Sequence, residues 1–259
     1  MSKKDKPIET VKIREFNPIE DLPESATMII VGPPATGKST FIQNMAYYLR
    51  HRYPVARVFI KTPEDYKKHR AIFGPLFVSN YWSKEEEEKH VERQQTCELE
   101  NGRGYRGNYA INIIDDASDD PSIYRTPLFT GLVKNGSQHY AQLLMIGMQY
   151  AIDMLPAIRS NLSFVALGRE PNELNREKLW KNFGGIAGSK ARFYDLLDQI
   201  TGDHTFLIIK MRSDSNKLED CIFWYKTRQI PPTWRFGSKE FREWNDQRYD
   251  QGYIEQIIV

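Results

Sequence analysis

The chain has 259 residues, enough for one α/β domain with a large core or two small ones, and 36 Lys and Arg against 34 Asp and Glu give a net charge of +2. This balance excludes a protein whose whole surface attracts nucleic acid, so any such contact must come from local clustering of basic residues. Its two cysteines lie far apart, as in a reducing compartment, and no 18-residue apolar stretch or signal-peptide core is present, so we expect a soluble intracellular protein without a membrane span.

The first residues, 1–7, are rich in lysine. We interpret residues 1–20 as a flexible basic arm, with a nuclear or nucleic-acid address as the weaker alternative. An apolar run at residues 27–31 then predicts a strand inside the main domain, which we place at residues 21–230.

A glycine-rich loop follows this strand. Residues 31–40 read VGPPATGKST and match G-x-x-x-x-G-K-[ST], and apolar residues at helical spacing follow at 41–49. Such a strand, loop and helix N-terminus surround a triphosphate with backbone N–H groups, whereas the alternative is a simple glycine-rich turn. We predict that ATP binds here, with Lys38 on the β and γ phosphates and Ser39 as a ligand of Mg²⁺. The predicted loop residues are Gly32, Pro33, Pro34, Ala35, Thr36, Gly37, Lys38, Ser39 and Thr40.

Polar segments follow a second short strand at residues 57–60. Residues 83–102 carry an acidic run and few apolar side chains, which is typical of an exposed helix, with partner binding as the alternative. The loop at residues 101–108 contains three glycines with Arg103 and Arg106. It is either a flexible connection or a contact for a nucleic-acid backbone.

The next apolar strand, at residues 109–114, ends in two adjacent carboxylates, Asp115 and Asp116. Paired carboxylates at the end of a buried strand cost folding free energy unless a positive group faces them, and the Mg²⁺ ion of a magnesium-bound triphosphate would be such a group. We predict that Asp115 holds Mg²⁺ and that Asp116 orients and polarises the attacking water. Taken alone, an Asp pair after a strand is also common turn chemistry.

Another fully apolar strand, at residues 143–148, ends at Gln149. In open α/β sheets a polar group at this position lies where the γ-phosphate is expected, so Gln149 would contact that phosphate or position water with it. The alternative is a strand-end amide with structural hydrogen bonds. Arg159 follows on a short turn, where a single arginine indicates little by itself.

The last third of the predicted main domain contains two amphipathic helices, at residues 172–183 and 189–200, and a strand pair at 205–211 and 220–226. Residues 231–259 form a predicted C-terminal tail in which aromatic and basic residues are interleaved. We favour the interpretation that this tail folds back on its own domain or on a neighbour over a grip on nucleic acid.

These motifs together resemble a known family. The phosphate loop, the acid pair, the Asn-Gly and His-Tyr pairs at 135–136 and 139–140, and the segment 149–170 resemble the genome-packaging ATPases of large DNA viruses, of the poxvirus and giant-virus type, within the FtsK and HerA group of DNA pumps. The resemblance covers about residues 27–170, and segment 149–170 is its most specific part. Family members often have an arginine where this chain has Ser137 and Gln138, so any contact of that arginine is lost or relocated here.

The resemblance implies a RecA-like ASCE P-loop NTPase core, an α/β fold with a mostly parallel central sheet flanked by helices, here followed by the strand pair and tail. The strand before Gln149 would lie between those of the phosphate loop and the acid pair. It also implies a homo-oligomeric ring that hydrolyses ATP to push double-stranded DNA into a preformed capsid. Capsid or portal proteins would be partners, in the virion and the viral factory of the host-cell cytoplasm. By the same resemblance, Gln149 becomes the sensor amide and Arg159 a candidate arginine finger.

Three alternatives stay open at this point. A plasmid or cellular HerA-like DNA-pumping ATPase differs from the viral interpretation only through segment 149–170. A small P-loop kinase would need an acceptor pocket and an arginine-bearing lid, to which the sequence does not point. A nucleotide switch or capsid subunit that binds ATP without turnover would have no use for Asp116.

Overall fold

The computed structural model describes residues 12–115, 122–150 and 156–249, and these ranges contain eight strands of one sheet. The strands are β1 (Ala26–Val31), β2 (Val55–Ile60), β3 (Val78–Ser79), β4 (Ala110–Asp115), β5 (Gln142–Met148), β6 (Phe164–Leu167), β7 (Thr205–Lys210) and β8 (Ile222–Lys226). Their order is β3-β2-β4-β5-β1-β6-β7-β8. In this order, every neighbouring pair from β3 at one edge to β6 is parallel. β7 pairs in antiparallel fashion with both β6 and β8.

This topology confirms the predicted α/β fold with its mostly parallel sheet and its strand pair near the C-terminus. It also places β5, which precedes Gln149, between β1 and β4. Because β1, β4, β5 and β6 run parallel, their carboxyl ends meet at one edge of the sheet. The phosphate loop, Asp115 and Gln149 all follow or end these strands, so they share that edge.

Helices cover both faces of the sheet. Within the described ranges they are α1 (Pro18–Asp21), α2 (Lys38–Leu49), α3 (Pro63–Phe73), α4 (Lys84–Asn101), α5 (Pro127–His139), α6 (Pro156–Arg159), α7 (Glu173–Phe183), α8 (Lys190–Ile200), α9 (Leu218–Cys221) and α10 (Lys239–Arg248). Among these described helices, none combines the length and the apolar character required to cross a bilayer.

Two apolar cores lie on the two faces. In β1, Met28 and Ile30 point into the core that also contains residues of α2 and α3. Ile29 and Val31 point into the other core, which also contains residues of α5, α7 and α8. Because both faces are covered, the central parallel strands are apolar on both sides, and this is why they appear as continuous apolar runs.

The N-terminal boundary differs from the prediction. Phe16 is buried, and its ring packs edge-on against Phe164 at 5.6 Å and Phe223 at 5.7 Å. Its backbone N–H donates to the carbonyl of Trp224 at 2.8 Å, so this segment continues the sheet beside β8. The folded part of the chain therefore begins before residue 21, and a flexible arm that extends to residue 20 is wrong for the residues around Phe16.

The described part of the C-terminal tail, residues 231–249, folds back on the domain. Phe236 is fully buried, and its N–H donates to the carbonyl of Ile72 at 2.9 Å. Phe241 stacks on Phe77 with ring centroids 4.1 Å apart. These aromatic side chains complete the core beside α3, so here they serve packing.

Helix α4, which contains the acidic run, packs on the sheet through polar side chains. Glu87, His90 and Gln94 form its buried face. His90 Nε2 donates to Gln142 Oε1 at 3.0 Å, and Gln94 Nε2 donates to the carbonyl of Asn108 at 2.8 Å. The prediction of an exposed helix is therefore correct for the charged outer face of α4 and wrong for its inner face, which is polar and buried.

We expect acid to weaken the fold through His90. The pKa of His90 is lowered to about 4, mainly by burial; the hydrogen bond to Gln142 opposes this shift, and the charges of Arg93 and Arg57 contribute to it. A base whose pKa is lower in the folded chain stabilises the fold fully above its unfolded value and loses this contribution as pH falls. Between pH 6.5 and 4 the loss should reach about 3 kcal/mol of unfolding free energy.

Urea unfolding of the native chain and of His90→Gln at pH 7, 6 and 5 checks this. The glutamine keeps an amide donor towards Gln142 but cannot take up a proton, so its stability should fall less steeply with acid. Burial raises the pKa of the neighbouring Glu87, which acts in the opposite direction, but both variants share that residue. Equal pH dependence in the two chains would show that His90 is not responsible.

Candidate active site

The loop between β1 and α2 is tightly curled. Gly37 caps α2 with φ of +89°, a left-handed conformation that glycine adopts without strain. A Cβ on Gly32 would lie 2.7 Å from Thr36 Oγ1, which in turn donates to the carbonyl of Pro33 at 2.8 Å. The loop therefore needs glycine at both ends of its motif, and it leads into the N–H groups of the first turn of α2, which have no partners within the helix.

Lys38 lies over the beginning of this loop. Its Nζ donates to the carbonyls of Gly32 at 2.8 Å and Pro33 at 3.1 Å. Phosphate oxygens are stronger acceptors for an ammonium group than neutral carbonyls, because the hydrogen bond is then assisted by charge on both sides. The ammonium group is thus held where an anion on the loop would compete for it.

Ser39 and Asp115 join the loop to the acid-bearing strand. Ser39 Oγ donates to Asp115 Oδ2 at 2.8 Å, and Asp115, the last residue of β4, is 2% exposed. β5 lies between the two strands, and its Gly147 pairs with Asp115 in the sheet register. A Cβ at position 147 would overlap Asp115 Oδ1, so the missing side chain leaves room for the carboxylate above β5.

A hydroxyl and a carboxylate in contact are the kind of oxygen ligands that Mg²⁺ accepts, together with water and substrate phosphates. A carboxylate as buried as Asp115 also needs compensation for its lost hydration, which a divalent cation provides. Ser39 and Asp115 therefore fit a magnesium site, and they are the two residues predicted for it.

Gln149 follows β5 at the same edge and is partly buried. Since β5 has β1 on one side and β4 on the other, Gln149 lies between the loop strand and the acid strand. The structure thus gathers Lys38, Ser39, Asp115 and Gln149 along one edge of the sheet. Asp116 lies outside the described residues.

Arg159 lies elsewhere. It ends α6, ahead of the amino end of β6, and its Nη1 donates to Asn182 Oδ1 at 2.9 Å. Residues 163–168 run beside β1 from its start to the phosphate loop, a span of roughly 16 Å for extended chain. Arg159 therefore lies near the edge of the sheet opposite its own phosphate loop.

Two further side chains lie near the loop, although no local sequence pattern marks them as part of the site. The ring of His204 is so close to Gly37 that a Cβ on that glycine would overlap it. His204 and the preceding Asp203 both have positive φ, 56° and 46°, in the turn before β7. Arg169 follows β6 and donates to the carbonyl of Thr201 at 3.2 Å, so it contacts the segment that leads to this turn.

A mostly parallel sheet with this loop after β1, an acid at the end of β4 and an amide after β5 defines the class of P-loop NTPases. Solved structures share the fold. The genome packaging NTPase B204 from Sulfolobus turreted icosahedral virus 2, in complex with sulfate, matches with a TM-score of 0.56 and 14% identity, over 81% of this chain and 100% of that chain. The pCW3 conjugation coupling protein TcpA, with ATPγS, matches with a TM-score of 0.53 and 14% identity, over 78% and 60% of the two chains.

The chain belongs to a family of viral proteins that includes protein 075L of Invertebrate iridescent virus 6 and protein 088R of Invertebrate iridescent virus 3, both described as uncharacterized. It is 30% identical to 075L over 243 residues, 92% of this chain and 93% of the relative. It is 31% identical to 088R over 219 residues, 83% and 82% of the two. No protein-family model matches the chain. The resemblance seen in the sequence is confirmed: the fold is shared with a viral packaging NTPase, and the relatives come from large DNA viruses.

Proposed function

We propose that this protein is an ATPase that drives double-stranded viral DNA into a preformed capsid. It would act as a homo-oligomeric ring, with capsid or portal proteins as partners, in the virion and in the viral factory of the host cytoplasm. The contact between Ser39 and Asp115 above Gly147 carries this proposal, because it joins the phosphate loop to the acid strand. Membership of a family from large DNA viruses and the fold shared with B204 support the viral role.

In this proposal the chain acts mainly by positioning and charge neutralisation. Lys38 and the backbone N–H groups of the loop bind and neutralise the triphosphate. Mg²⁺, held by Ser39 and Asp115, would neutralise charge that develops on the phosphate oxygens. Asp116 orients and polarises the attacking water, and the Gln149 amide holds the terminal phosphate or that water in line.

The rate of ATP hydrolysis with and without double-stranded DNA tests the function most directly. We expect duplexes of unrelated sequence to stimulate hydrolysis to the same extent, since a packaging motor must act on every sequence through the phosphates. Asp116→Asn should still bind ATP but lose turnover and serves as the control for contaminating ATPases. A rate of hydrolysis that does not change when DNA is added, or transfer of phosphate to a small acceptor, would contradict the proposal.

A second candidate is a plasmid-type DNA pump, which the likeness to TcpA favours. Both candidates predict stimulation by DNA. They differ in partner: a packaging ATPase should bind purified empty capsids of its own virus, whereas a conjugation-type pump should not.

We expect Arg159→Ala to reduce hydrolysis by about 10³-fold in a homogeneous preparation if the arginine acts as a finger. Because Arg159 lies near the edge opposite its own loop, it would have to enter the site of a neighbouring subunit. Mixing Arg159→Ala with Asp116→Asn subunits should then restore part of the activity, as some interfaces combine an intact site with an intact arginine.

Asn182→Ala is a matched control, because it removes the partner of Arg159 Nη1 within the chain while keeping the guanidinium. We expect it to retain most of the activity. Absence of recovery at every mixing ratio would count against an arginine finger that acts between subunits.

A further inference from the structure

A cleft of about 400 Å³ lies between the end of α2, the loop before β4 and the beginning of α10. Six of its eleven lining residues are basic or histidine, whereas the whole chain carries nearly equal numbers of basic and acidic residues. These six are Arg50, His51, Arg52, Arg106, Lys239 and Arg242. Within the described part of the chain, no acidic residue lines this basic cleft.

The basic cleft is separate from the phosphate loop. Pro54 in its wall directly precedes β2, and Arg106 and Gly107 lie on the loop that precedes β4. Since these strands run parallel to β1, their amino ends lie at the edge of the sheet opposite the loop. A ligand in the cleft would therefore leave the ATP site open.

The arginines of the cleft contact neutral groups of the chain. Arg106 Nη2 donates to the carbonyl of His51 at 3.3 Å, and the Arg50 guanidinium lies 4.1 Å from the ring centroid of Tyr47. Among the described residues no carboxylate forms an ion pair with Arg50 or Arg106. On the α10 side, Lys239 pairs with Glu243 at 3.6 Å, and Arg242 has attractive electrostatic interactions with Glu240 and Asp246. Several arginines elsewhere do form carboxylate pairs, with N–O distances of 2.6 Å in Arg14–Asp21 and 2.7 Å in both Arg176–Asp198 and Arg235–Asp246. The cleft thus keeps an excess of positive charge, which carboxylates of α10 compensate only on the α10 side, and such an excess attracts anions.

The walls of the cleft are fixed by hydrogen bonds of a buried asparagine and of the backbone. Asn108, two residues after Arg106, is fully buried and donates to Glu98 Oε1 at 2.8 Å and to the carbonyl of Gly102 at 2.9 Å. On the other side, the N–H of Ser238 donates to the carbonyl of Pro54 at 2.8 Å. These contacts hold the cationic segments in place before any ligand arrives, which lowers the entropy cost of binding.

We propose that the basic cleft binds the phosphate backbone of double-stranded nucleic acid, an assignment that rests on the proposed DNA-moving function. Guanidinium groups match phosphate oxygens in geometry and charge. The lining has only Tyr53 as a large apolar side chain, and that residue is fully buried, so the cleft lacks the apolar centre typical of a protein interface. Contact through phosphates alone carries no sequence information, as a DNA motor requires.

The test measures binding of a fluorescently labelled 30-base-pair duplex of arbitrary sequence, without nucleotide, across a salt series. In Arg106→Ala/Arg242→Ala we expect the slope of log affinity against log salt to fall by about 2, and affinity at about 0.1 M salt to fall at least 10-fold. Lys178→Ala/Arg192→Ala is the matched control: it removes the same charge from exposed positions on α7 and α8 and should leave affinity and slope unchanged. Hydrolysis without DNA should be unchanged in both pairs.

Each other outcome has a distinct meaning. If the native chain binds duplex and the cleft variant binds it equally well, the cleft assignment is overturned while the proposed function stands. If the native chain hydrolyses ATP but neither binds duplex nor responds to it, both are overturned. An equal loss of affinity in the control pair would also overturn the assignment, because it would show that DNA binding depends on the total charge of the chain. Displacement of the duplex by polyglutamate at the same charge concentration would overturn it as well, because it would indicate that the cleft binds an acidic protein.

Discussion

Lys38→Ala should abolish ATP binding and reduce hydrolysis by at least about 10³-fold. The Lys38 ammonium lies over the loop carbonyls of Gly32 and Pro33, where it would neutralise the triphosphate before and during transfer. Its removal leaves the backbone N–H groups to hold a highly charged ligand alone. Titration with a fluorescent ATP analogue and a phosphate-release assay measure the two effects.

Lys68→Ala is the matched control, because it removes a largely exposed lysine of α3 whose carboxylate partner, Asp65, is 3.6 Å away. We expect that variant to bind and hydrolyse ATP normally, since exposed pairs contribute little. If Lys38→Ala retained micromolar affinity for ATP, the assignment of residues 32–40 as the phosphate loop would have to be abandoned.

Gly147→Ala should disable the site although it replaces none of the predicted site residues. The new methyl group would overlap Asp115 Oδ1 and lie 3.4 Å from Asp115 Cα, in the middle of a covered sheet. Either the carboxylate moves away from Ser39 or the strands separate. We expect a loss of about 1–3 kcal/mol in stability, as for other overpacked cores, and a fall in hydrolysis of about 10² or more.

A double-mutant cycle separates these two effects. Asp115→Ala removes the obstructing carboxylate, so Gly147→Ala should cost much less stability in that background while hydrolysis stays absent. Gly131→Ala, in α5, is the control for the glycine change itself, since a Cβ there meets no atom within 4 Å and alanine favours helix. Additive stability losses at positions 115 and 147 would show that the two residues do not compete for the same space.

Local patterns account for the elements on which the site is built. The strand, loop and helix around Lys38 each carry their own signal, because the loop motif is contiguous and the flanking apolar periodicity is regular. Asp115 and Gln149 were found for a related reason: each ends or follows an apolar run, and polar groups at that position are conspicuous. The parallel sheet that places them at one edge followed from the family resemblance and agrees with the observed strand order.

Other features have no local signal. Helix α4 buries Glu87, His90 and Gln94 against polar groups of the sheet, and hydropathy alone treats such residues as exposed. Phe16, in the predicted flexible arm, is buried because it packs against Phe164 and Phe223, which lie on strands from the second half of the chain. Both outcomes depend on which distant segments become neighbours, and no window of sequence contains that information.

The sequence by itself determined that this chain carries a phosphate loop, an acid and an amide at the ends of successive buried strands, because each motif is short and contiguous. Only the tertiary structure decided that Gly147 leaves space for Asp115 to contact Ser39, and that His204 packs against Gly37. It also decided that Arg159 lies near the opposite edge of the sheet and that four arginines line one cleft. These relations join residues far apart in the chain, and strand order and register, which arise from packing of the whole sheet, bring them together.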